Sequence, residues 1–282
     1  MSIPISPGDL AAEPGTERAP LGEPGASGAT LERIHLADGR TLVRKAFSAD
    51  ADWMMRATHD PGRAAKLWIS GAMDRLPPEI DPAIVRIERD PSSRAGWVLY
   101  LEDVSQHFIR RDSVVDAAES RRLLDALASM HAAYWSEDSS IRPHPGLADL
   151  ASLVDLVRLA SPATIAAEAA SNHPFIGILR SGWEAFDELA PPDVGSAIHG
   201  LLNDPRPLAD ALVADGATVI HADPHYGNIA PAPDRFYVLD WGLASWGPPA
   251  VDFAWWLDQS SRLLEPGRDA LIEAFTAAEG SR

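Results

Sequence analysis

The sequence predicts an α+β protein built as two lobes, a small β-rich one followed by a larger, mostly helical one. Three observations carry that prediction. The first hundred residues contain short strand-like runs divided by turn signals. From Ser113 the period changes, and Leu123, Leu127, Met130 and Tyr134 fall on one helical stripe. Residues 136 to 218 are then rich in Ala and Leu with Pro breaks, which reads as several helices.

Taken in order, residues 1–20 are rich in Pro, Gly and Ala and are expected to be a flexible arm. They lack a basic segment followed by an apolar core, so they do not read as a secretory signal. Residues 21–103 form the first expected lobe: a Gly-rich turn, a strand, an Ala37–Gly39 turn and a second strand. Val43, Lys45 and Phe47 share one face of that second strand, because strand side chains alternate. A helix is expected over roughly Asp52 to Leu76, ended by Pro77 and Pro78. Strands follow at Ala83–Arg89 and Gly96–Leu101. Residues 104–282 form the second expected lobe, joined near Glu102 and Asp103. Ser113 with Asp116 resembles a capping box at the start of its first helix. Short strands are expected at Thr218–Ile220 and Phe236–Leu239, then a helix from about Val251 and a short final one.

Composition narrows the class. The 282 residues are 46% hydrophobic, enough for a sizeable core. A net charge of −17 argues against nucleic acid and anionic membranes as partners; it suits a cationic small molecule, or simply solubility. There is no Cys, which excludes disulfides and thiolate chemistry, and no apolar run approaches a membrane span. A cytoplasmic protein is the default expectation. Oligomeric state is not legible.

The chemistry gathers in VIHADPHYGNIAPAPDRFYVLDWGLASW, from Val219 to Trp246. His221, Asp223 and His225 could be read as an H-x-D-x-H metal string, but the other His residues are scattered singly. Asp223, Asn228 and Asp240 make a better set. A carboxylate that accepts the proton of an attacking hydroxyl, an amide five residues on and a second carboxylate after the next strand are the types that phosphoryl transfer needs, in that order. Hard Mg2+ takes oxygen ligands, so Asn228 and Asp240 fit where His does not.

At this point the residues carry a resemblance. HADPHYGN, residues 221–228, resembles the H-G-D-x-x-x-x-N loop of the aminoglycoside phosphotransferase and choline kinase-like family, with Ala222 in place of Gly. VLDWG, VDFAWWL and LASMHAAYW resemble its metal-binding strand end, the helix after it and the helix before its substrate region. GASGATLERI, TLVRKAF and WVLYLEDV resemble its nucleotide loop, lysine strand and hinge. The resemblance runs from residue 20 to about 258. It implies a protein-kinase-like fold and an ATP- or GTP-dependent, Mg2+-assisted small-molecule kinase. Asp223 would be the catalytic base, and Asn228 and Asp240 would bind Mg2+. Lys45, Ser27 and the backbone around Gly25 and Gly28 would meet the phosphates, and the backbone near Glu102 the base. His221 and Asp252 would brace the loop.

Plainer readings stand beside these. Lys45 could be an edge-strand lysine, Gly25 and Gly28 turn residues, Asp252 a helix cap and His131 a satisfied core histidine. Trp241 and Trp246 could be core, or lie near the pocket and stack on a sugar or a quaternary amine. Two departures matter. No Glu lies between residues 33 and 78, where the family would place the helix partner of its strand lysine; Ala64 follows Arg63, and Asp60 is the near substitute. Few residues follow VDFAWWL, as in a compact variant or a chain lacking its C-terminal part. The alternative function is therefore a catalytically degenerate kinase-like nucleotide-binding module.

Overall fold

The computed structural model describes residues 17–21, 27–90, 92–93, 96–110, 112–171 and 173–280. The N-terminal part is a five-stranded antiparallel sheet of strands β1 (Glu17–Pro20), β2 (Thr30–His35), β3 (Thr41–Phe47), β5 (Ile84–Arg89) and β6 (Trp97–Glu102), in the order β1-β2-β3-β6-β5. The last four residues of the expected arm thus pair with β2. The register sets Leu31, Lys45 and Leu99 abreast on one face. That is the face the alternation of Val43, Lys45 and Phe47 predicts.

The helix expected over Asp52–Leu76 is broken into α1 (Trp53–Ala57), α2 (Arg63–Ile69) and a final single turn, Ala72–Arg75. The break has a local cause. Pro61 has no N–H, and Gly62 stands at φ +91, where a Cβ would collide with the indole of Trp97. Asp60 then restarts the helix by accepting the N–H of Gly62 at 2.8 Å.

Strand β4 (Ile80–Asp81) leaves this region to pair in parallel with β9 (Phe236–Val238), which also pairs with β8 (Ile229–Pro231). A second pair joins β7 (Thr218–Ile220) to β10 (Ser245–Gly247). The rest is helical: α3 (Ala117–Tyr134), α4 (Leu153–Arg158), α5 (Pro162–Ala167), α6 (Pro174–Leu189), α7 (Pro192–Asn203), α8 (Arg206–Leu212), α9 (Pro249–Ser260) and α10 (Arg268–Gly280). The cap of α3 is Asp116, not Ser113; its carboxylate accepts the Glu119 N–H at 2.8 Å.

One continuous core links the two parts. It runs from Val43, Phe47 and Leu99 of the sheet through Leu67 of α2 to Leu123, Leu127 and Met130 of α3 and Trp256 of α9. By contrast, α7 buries no residue, and it meets α6 through Trp183, Phe186 and His199. Among the described residues no helix is long and apolar enough to cross a membrane.

Candidate active site

The loop after β7 is fixed from below. Asp252, fully buried on α9, accepts the backbone N–H of His221 at 2.9 Å and of Ala222 at 2.7 Å. It is a brace for the loop. These two bonds hold Ala222 at φ 65, the left-handed region that a glycine would enter freely. His221 donates from Nε2 to the Leu239 carbonyl at 2.8 Å and accepts the Asp223 N–H at Nδ1. With both nitrogens engaged, it is no metal ligand. His225 folds the loop, its Nδ1 accepting the Gly227 N–H at 2.9 Å. Among the described residues no three His, Cys, Asp or Glu side chains are grouped to hold a metal, so the H-x-D-x-H string does not converge.

Asp223 has both oxygens oriented. Oδ2 accepts from Asn228 Nδ2 at 2.8 Å, and Oδ1 accepts from Trp255 Nε1 at 2.6 Å. Asn228 Nδ2 also reaches the Asp223 carbonyl at 3.1 Å, which leaves its amide oxygen as the atom available to a cation. Asp240 follows β9 at φ 62, and its Oδ1 lies 2.8 Å from Lys45 Nζ. Burial would raise the Asp240 carboxyl, but Lys45 outweighs it and holds it below the usual carboxylate range.

Ser27, Lys45, Asp223, Asn228 and Asp240 all line one cavity of about 350 Å3. Its apolar wall includes Ala29, Leu31, Ile84, Leu99 and Leu101. Two sequence-picked residues stand apart from this lining. Gly28, at φ +111, packs so that a Cβ would meet the Ala51 carbonyl oxygen at 2.5 Å. Glu102 ends β6, with its N–H donated to the Ala83 carbonyl at 2.9 Å. Gly25 lies outside the described residues.

Trp241 lines the cavity but is buried and gives its N–H to Val238; Trp246 is buried and gives its N–H to Ser139. Trp246 lies away from the cavity lining, and Trp241 forms part of its wall. A second tryptophan, Trp255, is 42% exposed and meets the site through Asp223. His131 is the expected core histidine, buried between Asp252 Oδ2 at 3.1 Å and Glu279 Oε1 at 2.8 Å. Burial opposes its charge, yet the two carboxylates prevail and raise its pKa to about 9.

Three further side chains join the site without a motif that would have marked them as part of it. Asp52 lines the cavity and caps α1 through Met55 N–H at 3.0 Å. Trp255 touches Asp223. Arg63, fully buried, donates to the carbonyls of Thr58, Asp149 and Gly242, so it ties α2 to the turn after Asp240. The donor set suits Mg2+, which needs one or two hard protein oxygens beside those of a phosphate. Asn228 and Asp240 can supply them.

Residues 23–282 match the phosphotransferase enzyme family. No curated protein sequence matches the chain. Solved structures resemble it at low identity. An aminoglycoside 2'-phosphotransferase-IIIa in complex with GDP is 13% identical, covers 97% of this chain and 79% of its own, and has a TM-score of 0.54. An amicoumacin kinase in complex with AMP-PNP and Ca2+ is 11% identical, over 98% and 73%, with a TM-score of 0.52. A choline kinase from Streptococcus pneumoniae is 14% identical, over 93% and 74%, at 0.49. The likeness to the first two speaks to the kinase-like fold, and the match across nearly the whole length to more than the fold: the chain belongs to the phosphotransferase enzyme family.

Proposed function

We propose that this protein transfers a phosphoryl group from ATP or GTP to a hydroxyl of a small molecule, with Mg2+. The observation that carries the reading is that Lys45, far from Asp223, Asn228 and Asp240 in sequence, lines the same cavity as they do. Asp223 is the base. As the acceptor oxygen bonds to phosphorus and the bond to the nucleoside diphosphate breaks, Asp223 takes the hydroxyl proton. Asn228 and Trp255 fix its two oxygens for that task. Lys45 pairs with the phosphates, and Ser27 lies with it on the cavity wall; Gly25 and Gly28 keep the phosphate-binding role that the family pattern implies for them. The base of the nucleotide rests on Leu31, Ile84, Leu99 and Leu101, toward the backbone at Glu102. Asn228 and Asp240 hold Mg2+, which when bound neutralises phosphate charge. In this reading residues 21–103 serve the nucleotide and 104–282 the acceptor.

The cavity's charge fits this picture. Asp52, Asp60, Asp223 and Asp240 face one lysine, Lys45, so a polyanionic nucleotide enters with its cation, and a cationic acceptor is favoured. An enzyme consuming ATP works in the cytoplasm, where ATP is. Ala64 on the cavity wall, in place of a glutamate, favours a second reading: a module that binds nucleotide without turnover.

The test is nucleoside diphosphate release with Mg-ATP and Mg-GTP against choline, aminoglycosides, macrolides and sugars. One acceptor class is expected to stimulate release, and Asp223→Ala to lower kcat by about 10^3 without loss of fold. An unchanged kcat in that variant would remove Asp223 from the mechanism. Nucleotide binding with no stimulation by any acceptor would favour the second reading.

A further inference from the structure

Protein kinases hold their strand lysine with a helix glutamate. Here α2 offers Ala64 to the cavity instead, and no Glu lies between residues 33 and 78. Asp60, the nearest acidic residue in the segment, is committed elsewhere. Its Oδ1 accepts the N–H groups of Gly62 and Arg63, and its Oδ2 lies 3.7 Å from Arg63 Nη1. It caps α2 and offsets the buried guanidinium.

Lys45 is paired with Asp240 at 2.8 Å. That carboxylate is also the proposed Mg2+ ligand, and a carboxylate drawn to a divalent cation loses much of its pull on a lysine. Once Asp240 turns to metal, Lys45 needs an anion of the protein, beside the phosphates, to fix its direction.

Asp52 is the anion at hand. It caps α1 with Oδ1, is 6% exposed, and lines the cavity together with Lys45 and Ser27. A carboxylate buried this deeply needs a cation. Burial raises its pKa, and the Ser27 hydroxyl, the Met55 N–H and the charge of Lys45 each offset part of that rise. The segment that leads into β2 is tied to the start of α1 as well. Ser27 accepts the Trp53 N–H at 3.2 Å, and Gly28 lies flat on Ala51.

We propose that Asp52 is the residue that positions Lys45 in the nucleotide-loaded enzyme, taking the place of the absent helix glutamate from a different element of the chain. Because Asp52 also anchors α1 and meets Ser27, lysine, loop and helix are set by one side chain. This rests on the nucleotide-binding role proposed for Lys45.

The test is calorimetric titration of the full chain with Mg-ATP and Mg-GTP, using the wild type, Asp52→Asn, Lys45→Met and the double variant. Asn keeps the helix cap and removes the charge. Asp52→Asn is expected to weaken binding about tenfold with an unchanged melting temperature, as loss of a charge-assisted contact does. In the Lys45→Met background the same change should have little further effect, because the lysine through which Asp52 acts is gone. Should Asp52→Asn unfold, Asp52→Ser supplies a second capping side chain for the same cycle. Binding as tight as wild type, or an equal loss in both backgrounds, would overturn the role of Asp52 while leaving the phosphotransferase reading intact. No nucleotide binding by the folded wild type would overturn that reading and this inference with it.

Discussion

Trp255 donates its indole N–H to Oδ1 of Asp223 at 2.6 Å. The ring sits on α9 and is 42% exposed, so it presents a face to solvent beside the carboxylate proposed as the base. Trp255→Phe keeps the ring and removes the donor. A lost hydrogen bond to a charged group is worth about 1.5–3 kcal/mol, so kcat should fall roughly tenfold to a hundredfold. The KM for nucleotide should not move. Steady-state kinetics with any active acceptor decides it; an unchanged kcat would show the bond to be incidental.

Metal removal should abolish nucleotide binding altogether. Four carboxylates and one lysine line the cavity, so a free triphosphate meets net repulsion. Titration with ATP in EDTA is expected to give no heat, and Asp240→Asn with Mg2+ to give little. Undiminished binding in EDTA would falsify the metal role of Asn228 and Asp240.

Stability should decline in alkali. The pKa of His131 rises on folding from its ordinary 6.5 to about 9, through Asp252 and Glu279, against burial. A group whose pKa is raised on folding stabilises fully below its unfolded value and loses that contribution as pH passes through its folded value. The melting temperature should therefore fall between about pH 7 and pH 9. In Glu279→Gln the fall should be smaller and end at lower pH, because one of the two anions that raise the folded value is gone. A flat melting profile in the wild type over this range would contradict a charged His131.

Ala222→Gly should be tolerated and even helpful. Ala at φ 65 is strained, and relief is worth about 1 kcal/mol, partly offset by the greater freedom of Gly in the unfolded chain. Denaturant unfolding should show equal or higher stability with activity kept.

Arg63→Met should destabilise by about 3–5 kcal/mol, since it leaves Asp60 buried without its cation. Urea unfolding measures this directly.

What could be read from the sequence was local. The Asp223–Asn228 spacing lies within one loop, and the face shared by Val43, Lys45 and Phe47 follows from strand alternation. What could not be read depends on phase and on contacts between distant segments. Trp255 and Trp256 are neighbours on α9, yet one is exposed beside Asp223 and the other lies in the core. Only the rotation of the helix decides which. Asp52 looked like the start of a helix and is one, but its place beside the lysine strand depends on the break at Pro61 and Gly62, which the long helix expected there obscured. Glu279 reaches His131 from α10, almost 150 positions away in the chain.

The guanidinium of Arg63 joins α2 to the turn at Gly242, with further anchors at Thr58 and Asp149. A helix pinned in this way cannot swing outward without stranding a buried charge among unsatisfied carbonyls. The α2 wall of the cavity is thereby held in one place against the turn that follows Asp240.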